Sequence, residues 1–165
     1  MEHKLSLDEV TALVRGERIY QELRWPGHKH TAQEYLVYIR DYLVEAMHLV
    51  SRNDETLIAS DVLGIIRKVA AMCVAFREDS GDSKAYLEHS KVYDPRSYVM
   101  YLADLYREAE TAILGHLGDR VPALFAIQSM CLQCMQQHGA PTRVMCCVPP
   151  GTGSAKALDR LGLLG

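Results

Sequence analysis

The sequence predicts an all-α protein: a helical bundle of two repeated helix hairpins, with about five main helices. Three observations predict it. Apolar residues recur at helical spacing in five segments, three of those segments open on capping residues or a proline, and one 12-residue stretch recurs 63 positions further on.

Ser6-Leu-Asp-Glu9 reads as a capping box, in which the Ser6 hydroxyl accepts from the first turn and Glu9 reaches back. A first helix therefore starts near Leu7, with Val10, Leu13 and Val14 as its stripe, and Trp25-Pro26-Gly27 ends it. Thr31-Ala-Gln-Glu34 is a second capping box, followed by Ile39, Tyr42, Leu43, Ala46, Leu49 and Val50 on one helix face. After the polar break Arg52-Asn-Asp-Glu55, the run from Leu57 to Phe76 is apolar at helical spacing and stops before Ser80-Gly81. A short helix is expected around Lys84 to Ser90. Asp94-Pro95 opens the next long helix, from Arg96 to about Leu117, because proline suits a first helical turn. Val121, Leu124, Phe125, Gln128, Cys131, Leu132 and Met135 mark a last helix that ends at His138-Gly139.

Composition limits the function classes. Hydrophobic residues at 48% and charged residues at 24% describe a chain that folds. A formal net charge of -3, without a Lys/Arg run, argues against a nucleic-acid partner. No window approaches a membrane span and the start lacks the apolar region of a signal peptide, so a cytoplasmic protein is expected. Five cysteines, an odd number placed late in the chain, suggest reduced thiols.

The repeat is the most informative feature. Tyr35-Leu-Val-Tyr-Ile-Arg-Asp-Tyr-Leu-Val-Glu-Ala46 superposes without gaps on Tyr98-Val-Met-Tyr-Leu-Ala-Asp-Leu-Tyr-Arg-Glu-Ala109. Identical are Tyr35/Tyr98, Tyr38/Tyr101, Asp41/Asp104, Glu45/Glu108 and Ala46/Ala109. In the following helix Val69 to Val74 lies over Ile127 to Leu132. A lone hairpin exposes an apolar face, so two copies facing one another make a four-helix core with the first helix across it. Residues 1–79 form the first unit, 80–143 the second and divergent one, and 144–165 a flexible tail.

Asp41 and Glu45, like Asp104 and Glu108, are four apart and share a helix face. Such carboxylates either hold a hard cation such as Mg²⁺ or form a solvated face paired with Arg40, Arg67 or Arg107.

Glu17 to Trp25, His30-Thr-Ala-Gln-Glu-Tyr-Leu, Asp41-Tyr-Leu-Val-Glu-Ala46 and Ile66 to Ala75 resemble phage-encoded members of the MazG-like group, within the all-α nucleoside triphosphate pyrophosphohydrolases. The likeness covers residues 13 to 79, and Tyr98 to Arg143 resembles a second, more divergent copy. It implies a bundle that binds Mg²⁺ and a nucleotide through one acidic pair, matched by Asp41 and Glu45, and a further Glu-x-x-Asp pair on the next helix. That second pair is missing, since Leu63-Gly-Ile-Ile-Arg67 and Pro122-Ala-Leu-Phe125 stand in its place. Either the two copies pool Asp41, Glu45, Asp104 and Glu108 as a composite metal site, or the fold serves as a metal-independent binder.

Arg67 and Lys68 are candidates for meeting phosphate, or else for reaching solvent or pairing with Asp41 and Glu45. Tyr35, Tyr38, Tyr98 and Tyr101 are candidates for stacking on a base, or else for core packing. Trp25 and His30 complete the candidate ligand set. Cys131-Leu-Gln-Cys134 has metal-motif spacing but sits mid-helix, where burial is the simpler expectation. What the resemblance implies is a function of binding, and sequestering, a nucleotide or nucleotide-derived small molecule, with catalysis degenerate. The alternatives are a Mg²⁺-dependent pyrophosphohydrolase and a phage interaction protein that inhibits a host protein; a homo-oligomer is expected.

Overall fold

The computed structural model describes residues 4–24, 30–80, 92–115 and 120–141. Every regular element among them is helical: α1 (Leu7–Arg24), α2 (Ala32–Ser51), the single turn α3 (Glu55–Leu57), a π-helical segment (Ile58–Val62), α4 (Leu63–Ser80), α5 (Pro95–Leu114) and α6 (Arg120–His138). The all-α expectation holds, with five long helices. Among the described residues no helix is long and apolar enough to cross a membrane.

Local chemistry sets the helix starts. Ser6 Oγ accepts from the Glu9 amide while Glu9 Oε1 accepts from the Ser6 amide, both at 3.1 Å, which closes the predicted box. Thr31 Oγ1 accepts from the Glu34 amide at 3.2 Å, whereas the Glu34 carboxylate turns to His30. Asp94 Oδ1 accepts from the Ser97 amide at 2.8 Å, with Pro95 in the first turn of α5. At the far end of α6, Gly139 adopts φ 86° and its N–H donates to the Met135 carbonyl at 2.8 Å. Only glycine enters that left-handed region without strain, so the predicted stop is built from backbone.

Two boundaries differ from expectation. The apolar run from Leu57 is not one α-helix: Asp54 caps a single turn, and the π-helical segment inserts before α4. The wider turn re-phases the stripe, leaving Ile58 and Val62 buried together with Leu63 and Ile66. The described α5 ends at Leu114 rather than Leu117, with the Gly115 amide donating to Thr111 O at 3.0 Å. The expected helix at Lys84 to Ser90 and the tail 144–165 lie outside the described residues.

α2 packs on α4 and α5 on α6; α4–α6 and α2–α5 contacts join the pairs, and α1 lies on α4 and α6. One core runs through all of them, from Val10 through Ile39, Ile66 and Leu102 to Ile127. Fully burying each such side chain contributes roughly 1.5–3 kcal/mol. α4 is the central helix, with Leu63, Ile65, Ile66, Arg67, Val69 and Ala70 all buried, so almost no face of it meets water.

Positions 63 apart occupy matched environments. Tyr35 and Tyr98 are buried, as are Leu36 and Val99, Ile39 and Leu102, and Ala46 and Ala109. Val37 and Met100 are exposed at 53% and 54%, and Tyr38 and Tyr101 at 39% and 43%. The correspondence extends upstream of the similar sequence. His30 sets its ring edge-on to Tyr35 and Tyr38 at 5.3 and 5.0 Å, and Tyr93 takes the same place beside Tyr98 and Tyr101 at 5.5 and 4.6 Å.

Candidate functional site

A cleft of about 310 Å³ opens where α1, α2 and α4 meet. Tyr35, Tyr38 and Tyr42 from α2 and Met72 and Ala75 from α4 give it an apolar, aromatic floor. Arg18, Gln21 and Glu22 of α1 and His30 ahead of α2 supply the polar atoms. Such a mixture of aromatic lining and few polar groups is typical of small-molecule sites, which run from about 300 to 1,000 Å³.

Each wall is held in place. Tyr35 is fixed edge-on against Phe76 of α4 at 5.5 Å. The His30 Nδ1–H donates to Glu34 Oε2 at 2.9 Å, which orients the ring toward Tyr35 and Tyr38. Arg18 and Glu22 form an i,i+4 pair at 2.5 Å. Burial pushes the Tyr42 phenol above its ordinary pKa, with the Glu17 and Glu45 carboxylates adding to the shift, so it stays a hydrogen-bond donor. Lys68 reaches over the Tyr42 ring, 5.9 Å from its centre.

Three of the expected ligand residues, Tyr35, Tyr38 and His30, converge on this cleft. Trp25 lies outside the described residues. Tyr98 is in the core, where its hydroxyl donates to Gln137 Oε1 at 2.5 Å, and Tyr101 stands exposed against Tyr93.

Arg67 neither reaches solvent nor pairs with Asp41 and Glu45. It is 3% exposed, its Nε lies 3.7 Å from Glu17 Oε1, and its Nη1–H donates to the Pro141 carbonyl. The reason is its place on α4, where no exposed face is left for a cation. Glu17 is itself 2% exposed. Burial raises the Glu17 pKa, and the nearby Arg67 and Lys68 cations offset the rise only in part. Burial likewise lowers the Arg67 pKa, against the pull of Glu17.

Asp41, Glu45, Asp104 and Glu108 are all exposed. Asp104 stands 3.9 Å from Arg107 on its own helix. Among the described residues no three His, Cys, Asp or Glu side chains gather where they could hold a metal ion, so the four acids are not pooled. Cys73, Cys131 and Cys134 are buried, and desolvation raises their pKa values, that of Cys73 to about 12. They remain thiols within the core.

Glu17 and Gln21 escaped the sequence reading, although a signal was there. They continue the stripe Val10, Leu13, Val14 of α1 at helical spacing, and a polar side chain on an apolar stripe points inward. No protein-family model, curated protein or solved structure matches the chain.

Proposed function

We propose that the chain is a MazG-like tandem hairpin that binds a nucleotide or nucleotide-derived small molecule and sequesters it rather than hydrolysing it. The cleft at α1, α2 and α4 carries this reading, because the base-stacking candidates Tyr35 and Tyr38 and the ligand candidate His30 line one space. Stacking of a base on an aromatic side chain contributes about 1–3 kcal/mol and tolerates any base. The matched environments 63 positions apart support a duplicated hairpin. Hydrolysis is disfavoured because pyrophosphate release needs clustered carboxylates around Mg²⁺, and Asp41, Glu45, Asp104 and Glu108 do not cluster.

The test is thermal denaturation of the full chain across nucleotides and cyclic dinucleotides, with and without Mg²⁺. A ligand at 100 times its Kd should add about 2.7 kcal/mol of apparent stability. The double replacement of His30 and Tyr38 by Ala should remove that shift without unfolding the protein. If no nucleotide shifts the transition, the reading fails and the interaction-protein alternative takes its place.

A further inference from the structure

Gln21 is only 8% exposed and lines the cleft, yet its amide makes no hydrogen bond among the described residues. Nor is the amide among the atoms sealed away from all space, which leaves it within reach of water or a ligand. A ligand that displaces water from this amide must offer it hydrogen-bond partners of its own. The groups that can satisfy it are narrow in kind. A glutamine amide offers a donor beside an acceptor, the complement of a nucleobase edge such as adenine N6 and N7.

Charge narrows the choice further. Among the described lining residues Arg18 is the sole permanent cation, and Glu22 at 2.5 Å already offsets it. The described part of the rim can meet one phosphate group but lacks the cations for three. The volume, at the small end of ligand sites, agrees.

Building on the nucleotide-binding reading above, we infer that the cleft takes a nucleoside or nucleoside monophosphate base-first, with Gln21 reading the base edge and no metal required. The base lies over Tyr38 and His30, its edge meets Gln21, and the sugar and phosphate leave past Arg18.

Calorimetric titration of the full chain with the four common nucleosides, their 5′-monophosphates, their 5′-triphosphates with and without Mg²⁺, and ribose 5-phosphate tests this. Nucleosides and monophosphates should bind equally with or without Mg²⁺, triphosphates more weakly, and ribose 5-phosphate not at all. Gln21→Leu should weaken the best monophosphate about tenfold while leaving the melting temperature of the free protein unchanged. Gln21→Glu, which keeps the size but loses the donor, should change which base binds best. Tighter binding of Mg²⁺-triphosphates than of monophosphates would overturn the inference and leave the nucleotide reading standing. A Gln21→Leu protein that melts lower and binds unchanged would overturn it too, by making Gln21 a packing residue. Silence toward every nucleotide would sink both.

Discussion

The aromatic corners at the starts of α2 and α5 are built alike and end differently. At each, a ring two places before the helix packs against a buried tyrosine and an exposed one: His30 edge-on to Tyr35 and Tyr38, Tyr93 edge-on to Tyr98 and tilted against Tyr101. At the second corner the partners come from α6: the Tyr98 hydroxyl bonds Gln137, and His138 Nε2–H donates to the Tyr93 carbonyl at 2.5 Å. At the first, α1 stands alongside and brings Arg18, Gln21 and Glu22 to a cleft. Two alike corners thus diverge where α1 adds a cleft to one of them, and the corresponding tyrosines serve as wall in one half, Tyr35, and as core anchor in the other, Tyr98.

The contrast predicts that the first half depends on what ties α1 to α4. Arg67→Met leaves Glu17 buried without its cation and should cost about 3–5 kcal/mol at neutral pH in chemical denaturation. The pH dependence carries a sign. Because burial raises Glu17 in the folded state, its contribution is fully present below the ordinary value of 4.5 and is lost as pH rises through the raised pKa. Without Arg67 that loss should steepen and reach higher pH, and Glu17→Gln in the same protein should flatten it. A loss that instead grows toward acid pH would show that Glu17 is not the group responsible.

The shared scaffold is tested by matched truncations. Ile39→Ala and Leu102→Ala, both at fully buried positions 63 apart, should each cost about 2–5 kcal/mol in one cooperative transition. Two separate transitions would break the single core into independent halves. A smaller, equally paired effect belongs to the caps: Thr31→Ala and Asp94→Ala should each lose about 0.5–2 kcal/mol. If only one matters, the two helix starts are not equivalent.

Much of this frame was legible because it is local. Caps, stripes and stops depend on residues within one turn, and Ser6, Thr31, Asp94 and Gly139 act as their identities predict. Helical periodicity separated Ile39 from its exposed neighbour Arg40 for the same reason. The π-helical segment was not legible, because one inserted residue is invisible to a stripe that tolerates either phase. Nor was the Glu17–Arg67 pair, whose members are 50 positions apart and meet only once α1 crosses α4. Gln21 falls between: its place on the α1 stripe is readable, but the cleft it lines depends on three helices at once.

The enclosure of α4 governs how far this molecule can be divided. Its walls are α1, α2 and α6, drawn from both sides of any cut after residue 80. A fragment ending there would bare the side of α4 that α6 now covers, and the later fragment would lose the same partner. Neither piece can keep its interior dry alone, so the two halves make one indivisible body in place of two beads on a string.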